Sequence, residues 1–544
     1  MTIASKRDKI KGNAGMRSAQ FPVEKRKVSV FMKTKRNGFY RIALWCLLFA
    51  LLLVSCGSKP EAPADGTDGK SERPTQTETD ARSGDVTESG EKTDETRTTG
   101  EAQTEAPTTD DGKQEGLPKV DIEKSKASRK YFIGGTDKNS ISYQLGEEMR
   151  FTVSLYAGNE LASCAKFKYI LKADDGRTEE TGYADGKTGV FQLTTKLNVP
   201  GFVNLQVIAC NQAGVAIGGV DYFKGGAGAD IGNIKKAVAE PADFDEFWKN
   251  QLAKLDGKEP KLLEAREVES PNASFNLYAV KIRFLANGRW GNYVSGYLSV
   301  PKNAKKESLT LNLTFMGAGI SDIKKVCTSG TATLAVAAHS MELGRDSTYY
   351  GGLMNGTLKD YPNANNQTRE SVYFREMILR DVQALRFMKS YFGADGADER
   401  FKGLWNTEKG VILSGGSQGG FQAVAVAALE PDNIPRIDIN YPWLCDIGGC
   451  GTNGRMASTF MPDYTPALEY YDTVHFGKRL KCAVVLSQEG LGDDIATTTG
   501  VTIFWNNLPT DISRTMTYVQ NQSHSHFPQG KTDRYTVKGT VEKN

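Results

Sequence analysis

Histidine is scarce in this chain of 544 residues, which contains only His339, His475, His524 and His526. No cysteine and histidine spacing typical of a zinc site occurs, and there is no glycine-rich phosphate-binding loop. The formal net charge is only +3, and no basic patch with interleaved aromatic residues indicates nucleic-acid binding. We therefore expect neither a metal nor an organic cofactor, and no nucleic-acid partner.

Long apolar runs are also scarce. The run at residues 42–54 is shorter than a helix needs to be to span a membrane. It follows the basic residues 33–41, and this combination is typical of a secretory signal. It ends in Leu-Val-Ser-Cys56, which resembles a bacterial lipobox and implies cleavage before Cys56 and acylation of its sulfur. Residues 1–56 are thus predicted to be a leader and lipoprotein signal peptide, with Met32 as an alternative start. An uncleaved membrane anchor is the alternative.

This signal predicts a lipid-anchored protein of the bacterial cell envelope, at the outer membrane on its periplasmic or cell-surface side. Residues 57–118 contain almost no large apolar side chain, so they are predicted to be a disordered, acidic linker. Residues 119–228 alternate apolar and polar side chains between turn signals, which predicts an N-terminal immunoglobulin-like β-sandwich domain. The strands include residues 202–209 and 220–223. Six of the eight cysteines follow the signal, and their pairing cannot be deduced from their spacing.

The most informative segment is Gly-Gly-Ser-Gln-Gly at residues 415–419. An apolar run at residues 411–413 indicates a buried strand before it, and the alanine-rich residues 421–429 indicate a helix after it. This is the strand, tight turn and helix context of a G-x-S-x-G nucleophile elbow, with Ser417 as the nucleophile. The backbone N–H of Gln418, at the start of the helix, would then stabilise an oxyanion. An ordinary glycine-rich turn is the alternative interpretation.

A serine hydrolase of this kind needs an acid and then a histidine downstream of its serine. Asp493 follows the buried-strand pattern of residues 482–487, where catalytic groups gather in α/β sheets. His524 and His526 lie in a polar loop near the C-terminus and are both candidates for the general base. His475 precedes the acid in a helix-like stretch and is interpreted as structural.

Several ordered motifs resemble the acetyl xylan esterase and cephalosporin-C deacetylase family of α/β-hydrolases. They are Gly-Gly-Ser-Gln-Gly-Gly at 415–420, Tyr-Pro-Trp-Leu-Cys at 441–445, Gly-Leu-Gly-Asp at 490–493, and the segments at 241–248 and 294–301. The resemblance implies an α/β-hydrolase fold for residues 229–544, and it implies ring-like homo-oligomers. It assigns Ser417, Asp493 and His524 to a catalytic triad, and Ala318 to the second oxyanion donor. The turn before His524 favours it over His526, which stays the alternative base.

The chain departs from the family pattern at three places. The family's Arg-Gly-Gln motif is replaced around Ala338-His339-Ser340, its Cys-Pro-Pro is Ala496-Thr497-Thr498, and Ser525 follows the histidine in place of Glu. These motifs mainly shape the pocket and the subunit contacts. His339 is interpreted as structural or supporting, with contact to substrate as the alternative.

The residues predict acyl transfer by a serine esterase, and the resemblance implies acetylated, xylan-like carbohydrate as its substrate. Acetyl groups would leave through an acyl-enzyme, and the lipid anchor would hold the enzyme at a membrane. A second hypothesis is a catalytically inactive surface lipoprotein that binds carbohydrate or mediates adhesion, for which the β-sandwich and the linker would be suited. A third is a peptidase or thioesterase on the same fold.

Overall fold

A computed structural model of the protein describes residues 118–539. The predicted leader, the lipobox with Cys56, and the linker up to residue 117 lie outside the described residues. Among the residues that the structure describes, no helix is long and apolar enough to cross a membrane. All six cysteines in this part of the chain are unpaired.

The N-terminal strands form two sheets that share one apolar core. The first sheet has the order β1-β4-β3-β2, with β7 also paired to β3, and the second is the antiparallel sheet β6-β5-β8-β9. Side chains of both sheets, among them Phe151 and Phe167, are fully buried in the same cluster. In β3 and β5 the buried side chains mostly alternate with more exposed ones, so each of these strands turns one face toward this core. The finer immunoglobulin-like assignment stays a prediction. The strands are β1 (Val120–Asp121), β2 (Lys130–Thr136), β3 (Met149–Ala157), β4 (Glu160–Ser163), β5 (Lys166–Ala173), β6 (Glu180–Asp185), β7 (Val190–Thr195), β8 (Gly201–Cys210) and β9 (Phe223–Ala229).

Strand β9 lies further along the chain than the sequence indicated. The apolar residues 220–223 predicted a strand there, but the strand runs over Phe223–Ala229 and is rich in glycine. Glycine has low strand propensity, so this segment carries no strand signal. Its glycines are needed because neighbouring backbone lies very close: a Cβ on Gly226 would be 2.5 Å from the carbonyl oxygen of Val203.

The C-terminal part contains a ten-stranded mixed sheet in the order β10-β11-β12-β14-β13-β15-β16-β17-β18-β19. Its central strands, from β14 to β18 in that order, are parallel, and the strands at both ends are antiparallel. The predicted α/β-hydrolase fold class is thereby confirmed, and the mixed character of the sheet is a feature that the structure adds. The strands are β10 (Leu262–Glu267), β11 (Phe275–Arg283), β12 (Tyr293–Pro301), β13 (Thr310–Phe315), β14 (Thr331–Val336), β15 (Val411–Gly416), β16 (Arg436–Asn440), β17 (Ala483–Gly490), β18 (Arg514–Val519) and β19 (Arg534–Gly539).

Helices cover this sheet, and two of them matter most for the site. The helix α3 (Tyr373–Phe392) is amphipathic and largely buried. The helix α4 (Gln418–Leu429) is buried almost throughout because it is alanine-rich and apolar. They pack together through the rings of Phe374 and Phe421, whose centroids are 5.8 Å apart. The helices are α1 (Phe244–Leu252), α2 (Ser347–Asn355), α3 (Tyr373–Phe392), α4 (Gln418–Leu429), α5 (Gly449–Asn453), α6 (Thr473–Gly477) and α7 (Thr498–Asn506), with 3-10 turns at Ile231–Asn233, Thr407–Lys409 and Pro466–Tyr471.

Candidate active site

Ser417 lies at the sharp turn between strand β15 and helix α4. Its backbone has φ 57° and ψ −126°, a conformation that L-residues rarely adopt. The turn is tight because a Cβ on Gly415 would be 2.5 Å from the Gly419 backbone, and one on Gly419 would be 2.2 Å from the Phe315 carbonyl oxygen. The glycines of the motif are therefore required for the close approach of strand and helix.

A chain of hydrogen bonds connects Ser417, His524 and Asp493. The Nε2 atom of His524 is 2.8 Å from the Ser417 Oγ atom, and its Nδ1 atom is 2.9 Å from Oδ2 of Asp493. The other carboxylate oxygen of Asp493 accepts hydrogen bonds from the backbone N–H groups of Ile495 (2.8 Å) and Ala496 (3.1 Å). The structure thus brings the three predicted residues together, with the acid buried and the histidine partly exposed.

The remaining C-terminal histidines make different contacts. The Nδ1 atom of His526 is 3.2 Å from Oδ1 of Asp221, and its ring stacks on that of Tyr222 at 4.6 Å. His475, on α6, is fully buried with its Nε2 atom 3.1 Å from Oε2 of Glu469. Both imidazoles are therefore held by acidic side chains other than Asp493.

The two predicted oxyanion donors follow two neighbouring parallel strands. Gln418 opens α4, and Ala318 follows β13, which pairs in parallel with β15. The side chain of Gln422 donates to the Met316 carbonyl at 2.9 Å and thereby ties α4 to the Ala318 loop. Tyr361 donates to Oε1 of Gln418 at 2.6 Å, and its hydroxyl is 3.4 Å from the Ala318 carbonyl. The Tyr361 hydroxyl thus contacts both predicted donor residues. The sequence did not indicate this contact, because Tyr361 belongs to no motif.

His339 is fully buried beneath this region. Its Nδ1 atom is 2.6 Å from the hydroxyl of Tyr373, which also accepts from Arg380 at 3.2 Å. Burial, and then the positive charge of Arg380, lowers the pKa of His339 to about 3, so the ring is neutral at pH 7. The His339 side chain has no exposed surface, which favours a structural or supporting role over contact with substrate.

Glu489 is a second site residue that the sequence did not single out. It lies at the end of β17, is fully buried, and neither of its carboxyl oxygens has a hydrogen-bond partner within residues 118–539. Burial, and then the nearby negative charge of Asp493, raises the pKa of Glu489 well above its ordinary value. Such an environment favours the protonated form of Glu489, which avoids an unpaired buried negative charge beside that of Asp493.

The arrangement suits nucleophilic acyl transfer. A serine that is hydrogen-bonded to an imidazole, an acid that is hydrogen-bonded to the same imidazole, and a helix N-terminus beside the serine are the parts that acyl transfer requires. Within residues 118–539, no cluster of three or more His, Cys, Asp or Glu side chains is placed to hold a metal ion.

Comparison with known proteins points to one family. Residues 229–450 match the family model described as acetyl xylan esterase (AXE1). The matched segment includes Ala318, Ser417 and Gln418 and ends before Asp493 and His524. An acetyl esterase of Xylanibacter ruminicola is 28% identical over 292 residues, which are 50% of this chain and 61% of that protein. The chain therefore spans about three fifths of this relative. The resemblance inferred from the motifs is confirmed for the matched residues.

Solved structures of two acetyl xylan esterases are also similar to this chain. The enzyme from a Paenibacillus species is 18% identical, with 55% of this chain and 94% of that one covered and a TM-score of 0.42. Acetyl xylan esterase 1 from a Thermoanaerobacterium species is 19% identical, with 55% and 93% covered and a TM-score of 0.44.

Proposed function

We propose that this chain is a serine carboxylic ester hydrolase that removes acetyl groups from carbohydrate esters such as acetylated xylan or xylo-oligosaccharides. The proposal proceeds from the family match of residues 229–450. The observation that carries it is the hydrogen-bond chain from Ser417 through His524 to Asp493.

In the first half of the reaction, His524 takes the proton from the Ser417 hydroxyl as its oxygen attacks the acetyl carbonyl carbon. Asp493 orients the imidazole and stabilises the positive charge that the ring acquires. The N–H groups of Gln418 and Ala318 donate to the oxyanion of the tetrahedral intermediate. The intermediate collapses as His524 returns the proton to the sugar oxygen, so a free sugar hydroxyl leaves and an acetyl-serine remains.

In the second half, a water molecule replaces the sugar. His524 removes its proton, the hydroxide oxygen attacks the acetyl carbonyl, and the same donors hold the second oxyanion. Collapse of this intermediate breaks the bond to Ser417, whose oxygen recovers the proton from His524. Acetate is released, and no metal or organic cofactor takes part in these steps.

The choice of acetylated carbohydrate is supported by the names of the similar proteins and not by a pocket shape. The alternative, an inactive lipoprotein that binds carbohydrate, does not explain why acid, base and nucleophile remain within hydrogen-bond distance. A peptidase or thioesterase would use the same triad, so substrates must separate these possibilities.

A substrate panel tests the proposal. Purified protein should release acetate from acetylated xylo-oligosaccharides and from a chromogenic acetate ester, and turnover should fall as the acyl chain lengthens. Peptide and thioester substrates serve as the comparison. No acetate release from any ester would refute the proposal, and faster cleavage of peptides or thioesters would replace it with the third hypothesis.

The cellular location forms a further part of the proposal. The lipobox implies a lipid on Cys56, which would anchor the enzyme to the bacterial cell envelope through an acidic linker at residues 57–118. The β-sandwich would occupy residues 119–228, with an immunoglobulin-like fold, and the esterase domain would occupy residues 229–544. The family resemblance supports assembly into a homo-oligomer.

The lipid anchor is tested with two cysteine variants. Cys56→Ala should abolish incorporation of labelled fatty acid in the producing bacterium, because it removes the only sulfur at the lipobox position. Cys46→Ala lies in the apolar run of the same signal and should keep the label. Equal labelling of Cys56→Ala and the unaltered protein would show that the lipobox interpretation is wrong.

A further inference from the structure

The loop that carries Asp493 (residues 491–497, the acid loop) and the loop that carries His524 (residues 520–533, the base loop) both lie against strand β9 of the sandwich. On the acid side the contact is backbone against backbone. A Cβ on Gly492, which precedes the acid, would be 2.3 Å from the Lys224 carbonyl oxygen. A Cβ on Gly226 would be 2.4 Å from the carbonyl oxygen of Leu491. Such close approach requires glycine on both sides, so the two parts of the chain fit together over this contact.

The base loop contacts the same strand through two buried amides that precede His524. The side chain of Gln520 accepts from the Gly226 N–H at 3.0 Å and donates to the Gly226 carbonyl at 2.9 Å. The side chain of Asn521 accepts from the Lys224 N–H at 3.0 Å and donates to the Phe132 carbonyl at 3.1 Å. These four hydrogen bonds, three of them fully buried, connect the base loop to the sandwich.

An ion pair links β9 to the residue that follows the catalytic acid. The Nζ atom of Lys224 is 2.6 Å from Oδ1 of Asp494, and both side chains are mostly buried, with 13% and 24% of their surfaces exposed. Lys224 thus contacts the acid loop with its side chain and its carbonyl, and the base loop with its N–H. It is placed to set the separation of the two loops.

The turn around His524 is held from the same direction. The Ser523 N–H donates to the His526 carbonyl at 3.0 Å and closes the turn that presents His524. The His526 ring is in turn held by Asp221 and stacked on Tyr222, both in the segment that enters β9. The far side of this turn therefore rests on the sandwich.

We propose that the β-sandwich is part of the active site and that Lys224 is a positioning residue for the acid and base of the triad. This inference rests on the proposed esterase function. His524 must stay within hydrogen-bond distance of both Ser417 and Asp493, and a displacement of about 1 Å can cost about a hundredfold in rate. The sandwich holds the acid and base loops against one strand and thereby limits such displacement. It is not a separate binding module attached to an independent catalytic domain.

Lys224→Met is the main test, because it keeps the unbranched side chain up to the Cε position and the backbone contacts but removes the charged amino group. We expect kcat for a chromogenic acetate ester to fall about tenfold, while KM stays within about twofold. The rate at which a serine-directed phosphonate labels Ser417 should fall in parallel. Lys224→Arg retains the positive charge and should recover most of the activity.

Two further variants distinguish positioning from a general loss of stability. Asp494→Asn should reproduce the effect, and the double variant should lose no more than either single variant, because both remove one interaction. Lys172→Met is the matched control: Lys172 pairs with Glu179 at 3.3 Å within the same sandwich, and its loss should leave kcat unchanged. Thermal unfolding of every variant verifies that each is folded at the assay temperature.

The outcomes separate this inference from the proposed function. If the unaltered protein cleaves no ester, the proposed function fails. If it is active and folded Lys224→Met turns over at the same rate, the positioning role of Lys224 is refuted while the esterase stands. Equal losses in Lys224→Met and Lys172→Met, or fully additive losses in the double variant, would also overturn it.

Discussion

Ser417→Ala should reduce ester hydrolysis by about a thousandfold or more, with the fold intact. The Ser417 Oγ atom is the only atom that the substitution removes, and it is the atom that His524 approaches at 2.8 Å. Alanine, like serine, has a Cβ, so the unusual backbone conformation of φ 57° stays equally strained and no stability is gained. Rates with a chromogenic acetate ester and labelling by a phosphonate would measure the effect.

Ser414→Ala provides the control for that experiment. Ser414 lies on strand β15, three residues before Ser417, and its hydroxyl is 2.7 Å from the Thr314 hydroxyl on the neighbouring strand. Its loss should leave most of the activity and all of the phosphonate labelling. Retained turnover in folded Ser417→Ala would contradict the mechanism as a whole, whatever the substrate.

His524→Ala should also abolish turnover, by about a thousandfold, while His526→Ala keeps the rate within about tenfold of the unaltered protein. Of these two histidines, only His524 is hydrogen-bonded to both Ser417 and Asp493. The His526 ring instead pairs with Asp221 and stacks on Tyr222. Removing His526 loosens the turn but leaves the proton-transfer path in place. Measuring kcat and KM for both variants distinguishes the two losses.

Two results with these variants would count against the assignment of His524 as the base. A large loss of kcat in His526→Ala with activity kept in His524→Ala would move the base to His526 and would still leave a serine esterase. Equal large losses in both, accompanied by a lower unfolding temperature, would mean that the turn unfolds without either ring. Circular dichroism and thermal unfolding decide between these cases.

Local patterns were enough to locate the elbow. The apolar residues 411–413 predicted the strand that the structure extends to Gly416, and the alanine-rich residues 421–429 predicted the helix that begins at Gln418. The differences lie at the glycines, because glycine contributes little propensity to either element. The acid follows the same logic, since Asp493 comes just after strand β17 and parallel strands end at one edge of the sheet.

Position along the chain could not choose between His524 and His526. Neighbours at i and i+2 in an extended loop point in similar directions, so direction alone did not distinguish them. The structure separates the two rings because the loop turns between them, with the Ser523 N–H bonded to the His526 carbonyl. That turn depends on contacts with Asp221 and Tyr222, which lie about 300 residues earlier in the chain.

Local sequence patterns were sufficient to predict what depends on neighbouring residues: the α/β class, the elbow at Ser417, and the order of Ser417, Asp493 and His524 along the chain. Features that depend on distant residues became visible only in the folded chain: the contact of Lys224 with the loops of Asp493 and His524, the hydrogen bond from Tyr361 to Gln418, and the burial of Glu489 near Asp493. The physical reason is that propensity and periodicity act over a few residues, whereas close packing and buried charge act between segments that only folding brings together.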